Sequence, residues 1–216
     1  KRELEIEEDF FGDIIVNLEN IFTTISSGQK LEMKIKSILD NLNSSDGLEF
    51  ESGHRDLGLI LGYKSVNSET SGAPDPYWVI NSNLVIVSED KIYEEKENIK
   101  QIPIGDVREA ASHKTWIREN VSGLASKVDI VSLFITNSAE IDEEARIYSD
   151  DLLYISRSDY VKWATDAMTV IRTAWNSFSN QGNQEWREAM HKLFIEKEIT
   201  PKAYLAFVGQ IRLKDL

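Results

Sequence analysis

The stretch from Val128 to Ile135 decides what kind of molecule this sequence can become. It is almost continuously apolar, which is the pattern of a strand covered on both faces. Helical periodicity on both sides supplies the covering layers. Leu4, Ile6, Phe10, Phe11, Ile14, Ile15, Leu18, Ile21 and Phe22 repeat at helical spacing over about 2–25, although Gly12 weakens the middle. Leu31 to Leu42 repeats in the same way, Asn43–Gly47 is a break, and a third helix is predicted over 48–61 with Gly62 at its C′ position. The polar stretch Lys64–Ala73 has no period and reads as a loop.

The character then changes. Tyr77–Ile80, the turn Asn81-Ser82-Asn83 and the apolar run from Leu84 to Val87 predict a hairpin. The charged run Glu94–Glu97 belongs to a long loop. A helix over 106–120, a short helix over 141–147 and a strand over 152–155 follow. Tyr160, Ala164, Ala167, Met168 and Ile171 mark a long amphipathic helix, with Ser158 as its expected N-cap and Trp163, Trp175 and Phe178 as core residues by their spacing. Two more helices, over 184–197 and 200–210, close the chain, the last with Thr200 as cap and Pro201 in its first turn.

Composition narrows the function. The 216 residues make one ordinary domain that can bury a sizeable core, with 41% hydrophobic and 28% charged residues. No apolar run approaches the ~20 residues of a membrane span, and the start has no signal-peptide character. It also has no initiator Met, which points to a domain cut from a longer polypeptide. Zero cysteines exclude disulfides and thiolate metal sites and fit a cytoplasmic protein. His54, His113 and His191 lie too far apart for a histidine-rich zinc site. A net charge of −13 argues against a broad phosphate-binding surface, because duplex affinity comes from Lys and Arg. No Walker phosphate loop, Rossmann glycine fingerprint or nucleophile elbow is present.

Chemistry concentrates between Phe50 and Lys91. Strand alternation puts Glu89 and Lys91 on one face and Asp90 on the other. Upstream, Pro74-Asp75-Pro76 fixes the backbone at the start of the partner strand. Pairing about the Asn81–Asn83 turn brings the open ends together and Asp75 close to Glu89. Two carboxylates and a lysine there suit a hard, oxygen-liking cation. The plain alternative is an exposed Glu89–Lys91 ion pair worth little beside an ordinary turn.

Pro74-Asp75 followed by Glu89-Asp90-Lys91 at the end of an apolar strand resembles the signature of the PD-(D/E)XK nuclease superfamily. In that family the acids bind Mg²⁺ and the lysine assists the attacking water, so the resemblance assigns those roles to Asp75, Glu89 and Lys91. Phe50-Glu51 before Leu61-Gly62 is similar to a further family pattern and makes Glu51 a third metal-binding acid. The resemblance implies a restriction-endonuclease-like α/β core, a mixed central sheet flanked by helices, over 48–178. An N-terminal helical extension at 1–47 and a C-terminal helical annex at 179–216 lie outside it.

Secondary candidates stand beside the motif. His54 lies one turn after Glu51, on the stripe that continues to Gly58, where it contacts a phosphate, tunes Glu51 or simply packs. Glu109, His113 and Trp116 form a stripe on the crossover helix facing the site, although they do not match the Gln-x-x-x-Tyr pattern of some family members. Lys114 and Arg118 occupy the opposite, solvated side. The expectation is therefore a Mg²⁺-dependent (or Mn²⁺-dependent) nuclease cleaving DNA, an effector module of a restriction or antiphage defence protein, with a helicase, ATPase or sensor part in the same chain or complex. No membrane partner is expected, and the helical ends offer a route to a homo-oligomer. The competing expectation is an interaction or regulatory domain that keeps the fold without cleaving.

Overall fold

A computed structural model describes residues 11–93 and 101–216. In chain order its elements are α1 (Phe11–Thr24), α2 (Gly28–Leu42), α3 (Gly47–Ile60), β1 (Lys64–Val66), β2 (Tyr77–Asn81), β3 (Leu84–Lys91), α4 (Ile104–Asn120), β4 (Asp129–Thr136), β5 (Leu152–Ser156), α5 (Arg157–Ser177), α6 (Gln184–Glu196), α7 (Pro201–Val208) and β6 (Ile211–Arg212). Short 3₁₀ turns at Glu143–Tyr148 and Leu213–Asp215 complete the list. The helix expected before Phe11 and the charged loop over 94–97 lie outside the described residues.

The six strands form one mixed sheet in sequence order. β1, β2 and β3 are antiparallel neighbours, β3, β4 and β5 run parallel, and β6 returns antiparallel on β5. The β3–β4 connection crosses over through α4, as a parallel pair requires. Period-2 alternation divides the side chains between two layers. From β3 and β4, Leu84, Ile86, Leu133 and Ile135 enter the main core, which also takes residues from α1, α2, α3, α5, α6 and α7. Val85, Val87 and Ile130 meet Ile117 of α4 on the other face, and Phe134 joins Val107 and Ala110 there. No helix among the described residues is long and apolar enough to cross a membrane.

Capping sets the helix positions that carry the site. Ser27, Asp46, Ser156, Asn183 and Thr200 each accept a backbone N–H from the first turn of the helix that follows. The cap of α5 is thus Ser156, two residues before the expected Ser158. Ser156 has the extended backbone a cap needs (φ −66°, ψ 143°), while Ser158 already lies inside the helix. Gly62, at φ +88°, follows α3 as expected of a C′ glycine.

One strand replaces an expected loop, and another lies just beyond the last expected helix. Lys64–Val66 pairs with β2 through Ser65 opposite Trp78. Ile211–Arg212 closes the opposite edge against Leu153 and Tyr154. Both are edge strands too short to show a period. Trp163, Trp175 and Phe178 are half-buried, packed against the main core from its margin.

Candidate active site

β3 delivers the site. Its burial is continuous from Leu84 to Asp90, and only Lys91 at its end is half-buried. A fully buried carboxylate such as Glu89 needs partners, and β3 and α4 provide them. Lys91 Nζ lies 2.5 Å from Glu89 Oε1. The ammonium lies directly against this oxygen and forms a close ion pair with it. The other oxygen, Oε2, accepts a hydrogen bond from His113 Nε2 on α4. Lys91 also reaches Glu109 Oε2 at 3.6 Å. One turn beyond His113, Trp116 packs on Tyr77, with ring centroids 5.9 Å apart. The α4 stripe of Glu109, His113 and Trp116 therefore faces the end of β3.

Asp75 reaches the same place from β2. Strand pairing continues past the end of β2, where the Asp75 N–H donates to Ser88 O (2.9 Å) and the Ser88 N–H donates to Pro76 O (3.0 Å). This holds Asp75 against Ser88, the residue before Glu89, at the open end of the hairpin. The Asp75 carboxyl is pushed up to about 7 by burial and then by the charges of Glu51 and Glu89, with Lys91 and His113 acting the other way. Glu51 on α3 is raised by burial, and by Asp90 and Glu89, while Asn67 Nδ2 steadies it from 3.4 Å. At Lys91, burial works against the charge, but Glu89 and then Glu109 overcome it, so the ammonium holds its proton more tightly than usual. Asp75, Glu51, Glu89 and Lys91 thus lie within electrostatic reach of one another. Among the described residues, no group of three or more His, Cys, Asp and Glu side chains is placed to hold a metal ion.

Asp90 turns to the opposite layer, as alternation requires, and meets His54 of α3. His54 Nδ1 and Asp90 Oδ2 are 2.7 Å apart, and both side chains are almost completely buried. Burial lowers His54 to about 3 and raises Asp90 well above its ordinary value. The two shifts agree that the pair is kept without net charge, sharing one hydrogen along the 2.7 Å line. Sequence reasoning singled out His54 but not Asp90. The available signal was the alternation itself, which sends Asp90 toward the layer containing α3. The Asn67 contact to Glu51 was also missed, because Asn67 lies in a stretch with no period.

Lys114 pairs weakly with exposed Asp151 at 3.7 Å, on the solvated side where it was expected. His191 and Trp186 lie in the α1–α6 region, with Trp186 Nε1 donating to Ala174 O. Comparison of the chain with protein-family models, with curated proteins and with solved structures returns no match, so the reading of this site rests on its own geometry.

Proposed function

We propose that the chain is a Mg²⁺-dependent phosphodiesterase that cleaves DNA, built on a restriction-endonuclease-like core. The observation that carries the reading is the meeting of Glu89 and Lys91 at the end of β3, with Asp75 brought to the same end of the hairpin by its strand pairing to Ser88. Supporting it, α3, the antiparallel strands, the α4 crossover and β4 follow one another in the order that the resemblance implies.

The donor chemistry suits a hard divalent cation held by two carboxylates and not by a closed protein cage, because no three of these side chains close on one point. Mg²⁺ is usually held in that way, by one or two carboxylates with water and substrate phosphate completing its shell. Asp75 and Glu89 would hold the ion, with Glu51 acting directly or through water. When bound, Mg²⁺ supplies Lewis-acid polarisation of the phosphodiester and neutralises developing negative charge. The protein's own contribution is positional. The charges of Glu89 and Glu109 favour the protonated form of Lys91, which suits a donor that orients the attacking water. His113 holds Glu89 in place, and Glu109 limits the swing of Lys91.

The net charge of −13 favours the second reading, a domain of this fold that binds partners without cutting. A cleavage assay separates the two. Plasmid and single-stranded DNA are incubated with Mg²⁺, Mn²⁺ or EDTA, beside folded Asp75→Ala and Lys91→Ala variants. The expected result is metal-dependent cutting that each substitution lowers at least about a hundredfold, the scale of losing one transition-state contact. Cutting that survives both substitutions, or none by the chain with its natural partners, rejects the proposal.

A further inference from the structure

We infer that the buried His54–Asp90 pair is a positioning device that sets where α3 presents Glu51 to the site; the inference rests on the metal-site reading above. Glu51, His54 and Gly58 stand at i, i+3 and i+7 and form one stripe of α3. Gly58 lets the helix backbone lie directly on the Trp78 indole, since a Cβ there would come within 2.6 Å of Trp78 Cε2. His54 is boxed by rings, with Trp78 and Tyr160 both at 4.9 Å between centroids. Glu51, half-buried, ends the stripe within the electrostatic range of Asp75 and Glu89, with Asn67 Nδ2 3.4 Å from its carboxylate.

Ring contacts of this kind hold a helix against a sheet but fix its rotation and axial position poorly. A slip of one residue moves a side chain about 1.5 Å along the axis and turns it about 100°. Among the described residues, the side-chain hydrogen bond that ties α3 to β3 at this level and could forbid such a slip is His54 Nδ1 to Asp90 Oδ2 at 2.7 Å. Its β3 end is the residue between Glu89 and Lys91. The strand therefore carries Glu89 and Lys91 on one face and, through Asp90, the anchor for Glu51 on the other. Apolar side chains of the same size would fill this space without the cost of burying polar atoms, and they would not set the register.

The test compares Mn²⁺ affinity of the full chain, by titration calorimetry, across His54→Phe, His54→Asn, Glu51→Gln and the double variant H54F/E51Q. Urea unfolding of each shows that it is folded. Phe keeps the ring packing and removes the bond, while Asn places a donor near the position of Nδ1. The expected result is roughly tenfold weaker binding in His54→Phe and in Glu51→Gln, no further loss in the double variant, and substantial recovery in His54→Asn. Should His54→Phe not fold, Asp90→Asn takes its place in the cycle, with the same non-additivity expected. Wild-type affinity in His54→Phe, or losses that simply add, overturns the positioning role and leaves the metal site standing. No Mn²⁺ binding by wild type overturns the metal-site reading, and the positioning role falls with it.

Discussion

At Asp75, burial and the charges of Glu51 and Glu89 act in the same direction and hold the carboxyl near 7, against an ordinary value of 3.8. Below 3.8 the group is protonated in both folded and unfolded chains and is neutral to stability. As pH rises from 3.8, the unfolded chain ionises first, so stability is lost progressively until the folded carboxyl also ionises near 7. About three pKa units correspond to roughly 4 kcal/mol, and solvent access to the half-buried side chain reduces this to roughly 2 kcal/mol. Asp75→Asn should therefore raise metal-free stability by about that amount at pH 8 and by much less at pH 4.5, read from urea unfolding in EDTA. A destabilised Asn variant at pH 8 would mean that the carboxylate is held by an attraction and not by repulsion. His113 poses the opposite case. His113→Phe leaves Glu89 Oε2 buried with no donor, a loss of roughly 2–3 kcal/mol. At about 2–4 °C per kcal/mol for a chain of this size, the melting temperature should fall by roughly 5 °C or more. An unchanged melting temperature would show that Lys91 alone suffices for Glu89.

The elements are held in register by contacts of very different visibility in the sequence. Gly58 is among the tightest. An added methyl meets the Trp78 indole, whose ring is itself wedged between Tyr63 and Tyr204. Gly58→Ala should cost roughly 2–3 kcal/mol as an overpacking change and weaken Mn²⁺ binding by shifting α3; a variant as stable as wild type would mean that the indole moves freely. Long elements with a clear period, such as α2, α5 and the β2–β3 hairpin, were legible because their burial follows from local spacing. So was the place of Asp75 at the open end of that hairpin, since its pairing with Ser88 follows from the turn. β1 and β6 were not, because strands of three and two residues owe their form to a neighbour and not to their own pattern. The His54–Asp90 bond was half legible. Alternation gave the direction of Asp90, but the seat of α3 on that face depends on packing against Trp78 and Tyr160, which no local spacing records.

At the scale of the molecule, residues from 14 to 208 contribute to one main core. α1 and α6 are joined through it. Glu19 of α1, fully buried, is gripped by Arg187 of α6 at 2.6 Å and by the Gly182 N–H at 3.2 Å. From α6 and α7, Trp186, Met190, Phe194, Tyr204, Leu205 and Val208 all reach that core. At roughly 1.5–3 kcal/mol for each buried side chain, their removal forfeits on the order of 10 kcal/mol. That is comparable with the whole stability of an ordinary domain, about 5–15 kcal/mol. Tyr204 also stacks on Trp78 and Trp163, so its loss opens the layer behind His54 and Asp90. A chain ending at residue 180 should therefore lack a cooperative unfolding transition, bind a hydrophobic dye and show no Mn²⁺ affinity. If it instead unfolds cooperatively, with ordinary denaturant dependence and an intact metal site, then α6 and α7 are an appendage and the burial of their side chains is not what holds α3 against the sheet.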